Sequence, residues 1–173
     1  PEDHWYQEAQ KLGKLLAGEG FTIITGGGPG IMEAGNRGAS EGGGESVGIN
    51  IQLDKEQRIN PYVKKSIGLH YFFTRKVMLS YSAWAYVFFP GGFGTLDEFF
   101  EVVTLVQTRK IDQKIPIVIV GREFWEPLLK FIDEIVYQKM AGIDKEDMDI
   151  YKLADNAEAA FEIVRHAQER VEF

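Results

Sequence analysis

The sequence predicts an α/β fold of the doubly wound class, a Rossmann-like three-layer arrangement with a parallel sheet between helices. Two apolar runs, 84–89 and 115–120, are continuous rather than alternating, as in strands buried on both faces. Segments with helical spacing of apolar residues separate the predicted strands. Two glycine clusters, 26–30 and 90–94, each follow a predicted strand and precede a predicted helix. Both loops are therefore expected at the carboxyl edge of the sheet, where ligands of such folds bind.

The first half of the chain begins with apolar residues at helical spacing and then alternates between strand and helix patterns. The predicted elements are, in order, a helix over 3–20, a strand over 21–25, a small-residue helix over 31–39, a strand over 46–51, a polar surface loop over 52–65 and a short strand over 67–72. A helix over 74–83 follows, with Val77, Met78 and Tyr81 on its inner face.

The second half repeats the order of strand, glycine loop and helix. We predict a strand over 84–89, a helix over 95–108, a strand over 115–120, a helix over 123–139, an acidic loop over 144–149 and a helix over 156–170 capped by Asp155. The length of 173 residues suits one domain over 1–173. Because the chain opens on a helix, we expect that the usual first strand is absent from this sequence.

The amino-acid composition and net charge exclude several classes of protein. Hydrophobic residues make up 45% and charged residues 26%, which is typical of a folded globular domain. The net charge of −7 disfavours a nucleic-acid backbone or an anionic membrane as partner. The apolar runs are far shorter than the ~20 residues of a membrane span. The absence of cysteine excludes disulfides and thiolate chemistry and suits a cytoplasmic location.

The glycine loop over 26–30 has the properties of a phosphate site. Glycines let the backbone approach an anion, Pro29 suits a helix start, and the helix amino end presents unpaired N–H groups. The alternative is a tight turn without a ligand, although a single glycine would usually suffice for that. Neither glycine loop matches the P-loop pattern or the dinucleotide-binding glycine pattern, so both of those classes are disfavoured.

The second glycine loop continues into a segment with a hydroxyl and a carboxylate. Thr95 and Glu98 have the spacing of a capping box, so Glu98 has a purely structural alternative to a chemical role. Asp97 is interpreted as a surface acid favoured by the helix dipole.

Arg75 and Lys76 lie near the amino end of a predicted helix, where cations are unfavourable. An anion would relieve that conflict, and a guanidinium can make forked hydrogen bonds to a phosphate or a base. The alternative is a pair of solvated surface cations.

Other candidate sites have less support. The three histidines, His4, His70 and His166, are scattered and predict no metal site. The acidic run over 144–149 lacks the pattern of a calcium loop. The aromatic residues of the outer helices are expected mainly in the core, with an excess that could form a homodimer face: Phe93, Phe99, Phe100, Trp125 and Phe131.

Three separated motifs together resemble the LONELY GUY family. They are Gly26-Gly-Gly-Pro-Gly-Ile-Met32, Arg75-Lys76 and Pro90-Gly-Gly-Phe-Gly-Thr-Leu-Asp-Glu98. The family comprises cytokinin-activating phosphoribohydrolases that were formerly labelled lysine decarboxylases, and the GGGPGIMEA form is similar to its bacterial branch. The resemblance extends from the first helix to about Val120.

The resemblance implies hydrolysis of the N-glycosidic bond of adenosine 5′-monophosphate, or of an N6-substituted form, without a cofactor and in a homodimer. Arg75 and Glu98 match the catalytic residues of the family. Positions that match its nucleotide and phosphate site are Gly26, Gly27, Gly28, Gly30, Ile31, Met32, Lys76, Gly91, Gly92, Gly94 and Thr95.

Other functions remain as alternatives at this point. Molybdenum-cofactor carriers share this fold and similar glycine motifs, so a carrier without turnover is one alternative. A nucleotide sensor in which Glu98 only caps its helix is another. Pyridoxal-dependent decarboxylation is disfavoured because no lysine stands out as a Schiff-base site.

Overall fold

The structure is a computed structural model that describes residues 3–51 and 59–168. The chain divides into two compact units, the first ending at Ala83 and the second beginning at Trp84. The first unit contains α1 (His4–Gly18), β1 (Ile23–Thr25), α2 (Ile31–Glu41), β2 (Ser46–Ile51), β3 (Lys65–Leu69) and α3 (Phe72–Ser82).

The second unit contains the remaining elements. They are β4 (Tyr86–Phe88), α4 (Phe93–Gln107), β5 (Ile117–Val120), α5 (Arg122–Phe131), a π-helix (Ile132–Lys139), a short 3₁₀ helix (Lys145–Asp149), β6 (Lys152–Ala154) and α6 (Ala157–Val164).

Each unit has a three-stranded parallel sheet. In the first unit β2 lies between β1 and β3, with Ile24 opposite Val47 and Ile49 opposite Ile67. In the second unit β5 lies between β4 and β6, with Val87 opposite Val118. The predicted α/β class with parallel strands is confirmed.

The first unit depends on an unusually close approach of α1 and α2. Both helices carry glycine where they touch, and a Cβ on Gly38 would overlap the carbonyl oxygen of Gln10. Likewise, a Cβ on Gly13 would lie 2.5 Å from the Gly35 carbonyl oxygen. The small residues predicted for this helix therefore allow α1 and α2 to pack closely.

The core of the second unit is aromatic. Phe99 of α4 and Trp125 of α5 are both 0% exposed, and their ring centroids are 5.0 Å apart. Trp125 Nε1 donates to the Val120 carbonyl at 3.0 Å, so its polar atom is satisfied in the core. Every residue of β5 is buried, as expected for a central parallel strand.

Not all of the aromatic residues expected mainly in the core are buried. Phe99 and Trp125 are, but Phe93, Phe100 and Phe131 are exposed. The polar loop expected over 52–65 lies partly outside the described residues, and its last residue begins β3.

Several predictions for the carboxyl-terminal part were wrong. The short strand β6 was missed, and α6 is capped by Asn156, whose side chain accepts from Ala159 N, because Asp155 instead pairs with Arg122. Residues 145–149 form a 3₁₀ helix, since Asp144 and Asp147 make a reciprocal capping box. Within the described ranges, α6 ends at Val164.

The inner face of α3 was also predicted wrongly. Val77 and Met78 are exposed, and Tyr81 is only half-buried. Polar residues take the inward position instead: Ser80 is 4% exposed, and Arg75 bonds to β2. In the described part of the chain, no helix is long and apolar enough to cross a bilayer.

The close helix approach predicts a strong response to one added methyl group. Gly38→Ala should lower the free energy of unfolding by about 1–3 kcal/mol or more, because the Cβ meets backbone atoms that cannot rotate away. Gly18→Ala in α1 is the matched control, since nothing lies within 4 Å of its Cβ, and it should be neutral or slightly stabilising. Urea denaturation measures both, and equal stability of the two variants would contradict this packing.

Candidate functional site

The glycine loop of the first unit connects β1 to α2 and has two residues in the left-handed region. Gly27 and Gly30 both have a φ of 74°, a backbone angle that residues other than glycine rarely adopt. Gly30 is the N-cap of α2, and no side chain in the described segments caps that helix end. The first-turn amides of α2 therefore face a site suited to an anion.

A buried amide holds the end of β1 and the start of β2 together beneath this loop. Asn36 of α2 is 0% exposed, and its Oδ1 accepts from Thr25 Oγ1 at 2.6 Å. Its Nδ2 donates to Ser46 Oγ at 2.8 Å. The Thr25 hydroxyl also accepts from Gly27 N at 2.9 Å, which connects the buried amide to the loop.

Asn60 holds the loop from the connection between β2 and β3. Its backbone N–H donates to the Gly27 carbonyl at 2.9 Å, and its Nδ2 donates to the Gly28 carbonyl at 3.0 Å. The same Nδ2 donates to Asn36 Oδ1 at 2.9 Å. Asn60 is 5% exposed, so both loop carbonyls point into the protein.

The guanidinium of Arg75 lies against the same loop. Its Nε donates to the Ile49 carbonyl near the end of β2 at 3.1 Å. A Cβ built on Gly26 would be 2.5 Å from Arg75 Nη2 and 2.7 Å from Met32 Sδ. Glycine at position 26 thus makes room for two side chains. The structure places the Arg75 guanidinium beside the glycine loop that was predicted to bind an anion.

The remaining predicted residues of this unit take nearby positions. Ile31 and Met32 form the first turn of α2 and are half-buried, and Lys76 follows Arg75 on α3 and is also half-buried. Glu33 in the same first turn accepts from the Tyr6 hydroxyl at 3.1 Å. Burial raises the pKa of Tyr6, an effect that Arg37 opposes and this carboxylate reinforces.

The second unit carries the other predicted loop at the start of α4. Gly92 is the N-cap of the helix, Gly94 and Thr95 lie in its first turn, and Glu98 lies in the next and is half-buried. A Cβ on Gly91 would overlap the Thr95 hydroxyl, so a larger residue there would displace the Thr95 side chain.

The capping-box interpretation of Thr95 and Glu98 was wrong. The helix begins at Phe93, so Thr95 is inside it and Gly92 is the N-cap, with no side-chain cap among the described residues. The local spacing matched the pattern, but the glycine turn allows the helix to start two residues earlier. Glu98 therefore does not form a capping box with Thr95.

Sequence reasoning missed the polar residues that support the first loop. The sequence patterns predicted the strand, helix and loop that contain Thr25, Asn36 and Asn60 but predicted no function for these three residues. One usable signal was a lone asparagine within a run of small residues in α2, where a buried amide needs partners. Across the described ranges, no three acidic or histidine side chains gather in a way that could hold a metal ion.

Comparisons with known proteins agree with these motifs. The family described as possible lysine decarboxylase matches residues 32–164. The chain is 30% identical over 172 residues to the cytokinin riboside 5′-monophosphate phosphoribohydrolase LOG of Oryza sativa subsp. japonica, across 96% of this chain and 67% of the relative. The chain belongs to the LONELY GUY family.

Two further proteins are similar to this chain. The probable cytokinin riboside 5′-monophosphate phosphoribohydrolase LOGL5 of Oryza sativa subsp. japonica is 32% identical over 133 residues, which span 75% of this LONELY GUY chain but only 53% of the relative. The molybdenum cofactor carrier protein of Chlamydomonas reinhardtii has a TM-score of 0.70 at 22% identity, covering 94% of this chain and 87% of that one. The carrier likeness shows the fold alone.

The hydrogen bonds of the buried Asn36 amide predict that substituting Asn36 destabilises the protein more than substituting Asn156. Asn36→Ala should lower the free energy of unfolding by about 2–4 kcal/mol, because it leaves several buried partners unpaired. Asn156→Ala removes only the helix cap of α6 and should cost about 1 kcal/mol. Thermal and urea unfolding measure both, and a smaller cost at Asn36 than at Asn156 would contradict the network.

Proposed function

We propose that the protein hydrolyses the N-glycosidic bond of adenosine 5′-monophosphate or an N6-substituted form, giving the free base and ribose 5-phosphate. The observation that carries this proposal is the Arg75 guanidinium against the glycine loop at the start of α2. A cation and unpaired helix amides in one place suit a phosphate monoester. Membership of the LONELY GUY family supports the reaction class.

The reaction requires charge compensation at two atoms. As the bond from the ribose carbon to the purine nitrogen breaks, its electron pair goes to the purine and the sugar becomes oxocarbenium-like. A water oxygen then bonds to the ribose carbon, and the proton it loses ends on the base. Stabilisation is therefore needed for a cationic sugar and for an anionic leaving group.

We assign these tasks to the two residues that match the family's catalytic positions. Glu98 would stabilise the cationic sugar or orient the attacking water, and its half-buried position on α4 would strengthen its attraction to a nearby cation. Arg75 would stabilise the departing base or hold the phosphate. The glycine loops over 26–30 and 91–94, with Thr95, would bind the nucleotide and supply remote binding energy.

A carrier of a phosphorylated ligand is the second candidate, because an anion loop serves binding without turnover as well as it serves catalysis. The carrier with a TM-score of 0.70 has the same fold. In a carrier, Glu98 would have no reacting atom to stabilise. Turnover by the purified protein separates the two functions.

Base release should depend on both charged residues. We expect the protein to release base from adenosine or isopentenyl-adenosine 5′-monophosphate, with Glu98→Gln and Arg75→Ala each reducing kcat at least about 10²-fold. Asp97→Asn and Arg122→Ala, both at exposed charges, are the matched controls and should keep full activity. Chromatography of base and ribose 5-phosphate is the measurement. Nucleotide binding without release would favour the carrier.

The room at Gly26 gives an independent test of the role of Arg75. Gly26→Ala should reduce kcat/KM at least about tenfold by displacing the guanidinium, while the melting temperature stays near that of the parent, since the displaced atoms are ends of flexible side chains. Gly18→Ala again serves as control. Unchanged kcat/KM in Gly26→Ala would argue against a role for Arg75 beside this loop.

A further inference from the structure

Asn60 lies in the polar connection between β2 and β3, which had no assigned role, yet it is almost fully buried. It donates to two loop carbonyls, those of Gly27 and Gly28. Its own Oδ1 accepts from Tyr62 N at 3.2 Å, which closes a local turn and orients the amide. An Asn that only turned the chain would not need to bond with the glycine loop.

Thr25 holds the same loop from the opposite end. Its hydroxyl accepts from Gly27 N and donates to Asn36 Oδ1, so the hydroxyl is bonded in both directions. The N–H and the carbonyl of Gly27 are therefore both fixed, one by Thr25 and the other by Asn60. Asn36 joins the two supports, because its Oδ1 accepts from each of them.

These bonds matter because a glycine-rich loop is otherwise free to adopt many conformations. Glycine loses more conformational freedom on ordering than other residues, and Gly27 and Gly30 are both in the left-handed region. A loop ordered before binding does not lose that freedom when its ligand arrives. The Gly27 and Gly28 carbonyls accept from Asn60, which holds them in the protein interior and limits their repulsion of an anion at the loop surface.

We propose that Asn60 and Thr25 are positioning residues that hold the glycine loop in the conformation that accepts the phosphate of the nucleotide. They act through the backbone of Gly27 and Gly28 and not by contact with the reacting atoms. The inference rests on the proposed function for its ligand. It assigns affinity for the phosphate end of the substrate to residues outside the glycine motifs.

The test compares substitutions that leave the net charge unchanged, and it measures binding separately from turnover. Thr25→Val removes the hydroxyl at nearly constant shape, and Thr25→Ser keeps it; Asn60→Ala removes the donor to Gly28. Asn156→Ala, which loses a hydrogen bond in the other unit, controls for general loss of stability. Calorimetric titration with adenosine 5′-monophosphate, adenosine and inorganic phosphate is run on each, with circular dichroism to verify folding.

We expect Thr25→Val and Asn60→Ala to weaken binding of the monophosphate at least tenfold and to leave adenosine binding within twofold. Thr25→Ser and Asn156→Ala should bind the monophosphate within twofold of the parent. In turnover, the loss should fall mainly on KM. If Asn60→Ala does not fold, the contrast between valine and serine at position 25 decides the outcome.

The proposal is overturned if folded Thr25→Val binds the monophosphate like the parent, or if it loses adenosine and monophosphate binding equally. It is also overturned if the parent binds neither the monophosphate nor inorganic phosphate. Failure of the proposed function gives a different result: the parent then binds the monophosphate without releasing base, and the contrast between the variants still tests the positioning role.

Discussion

Burial of the Asn36 amide forces the surrounding chain to supply its hydrogen-bond partners. An unpaired buried polar group costs about 1–3 kcal/mol, a large share of the stability of a small domain. The partners come from the end of one strand, the start of the next and the connection beyond it: Thr25, Ser46 and Asn60. When these three residues are bonded to Asn36, the backbone of the glycine loop can adopt few conformations. A requirement of the core thus sets the geometry of the loop at the surface.

That amide reaches its partners only because α2 is held close on two sides. On one side, glycines let α2 approach α1 more closely than a methyl group at Gly38 would allow. On the other side, a Cβ on Gly35 would lie 3.6 Å from Thr25 Cγ2, so the helix is in contact with β1. The glycines of this unit therefore have two physical uses. Some glycines allow close packing of helices, and Gly27 and Gly30 allow left-handed backbone in the loop.

The parts that suit an anion and the part that suits hydrolysis have different physical origins. Backbone amides and a guanidinium attract phosphate whether or not any bond is broken, so an enzyme and a carrier can share them. A half-buried carboxylate such as Glu98 repels an anion and therefore adds nothing to anion binding. In the proposed reaction this carboxylate would act at the cationic sugar, a task that storage of an anionic ligand does not require.

The sequence by itself determined the α/β class, the bounds of β2 at Ser46–Ile51, both glycine loops and the place of Arg75 near a helix start, because these depend on local period and composition. It misplaced the start of α4, missed β6 and put the wrong face of α3 inward. Tertiary structure alone decided that Asn36 meets Asn60 and that Arg75 lies against Gly26. Contacts between residues far apart in the chain leave no local period, and only the packing of α2 and α3 on the sheet creates them.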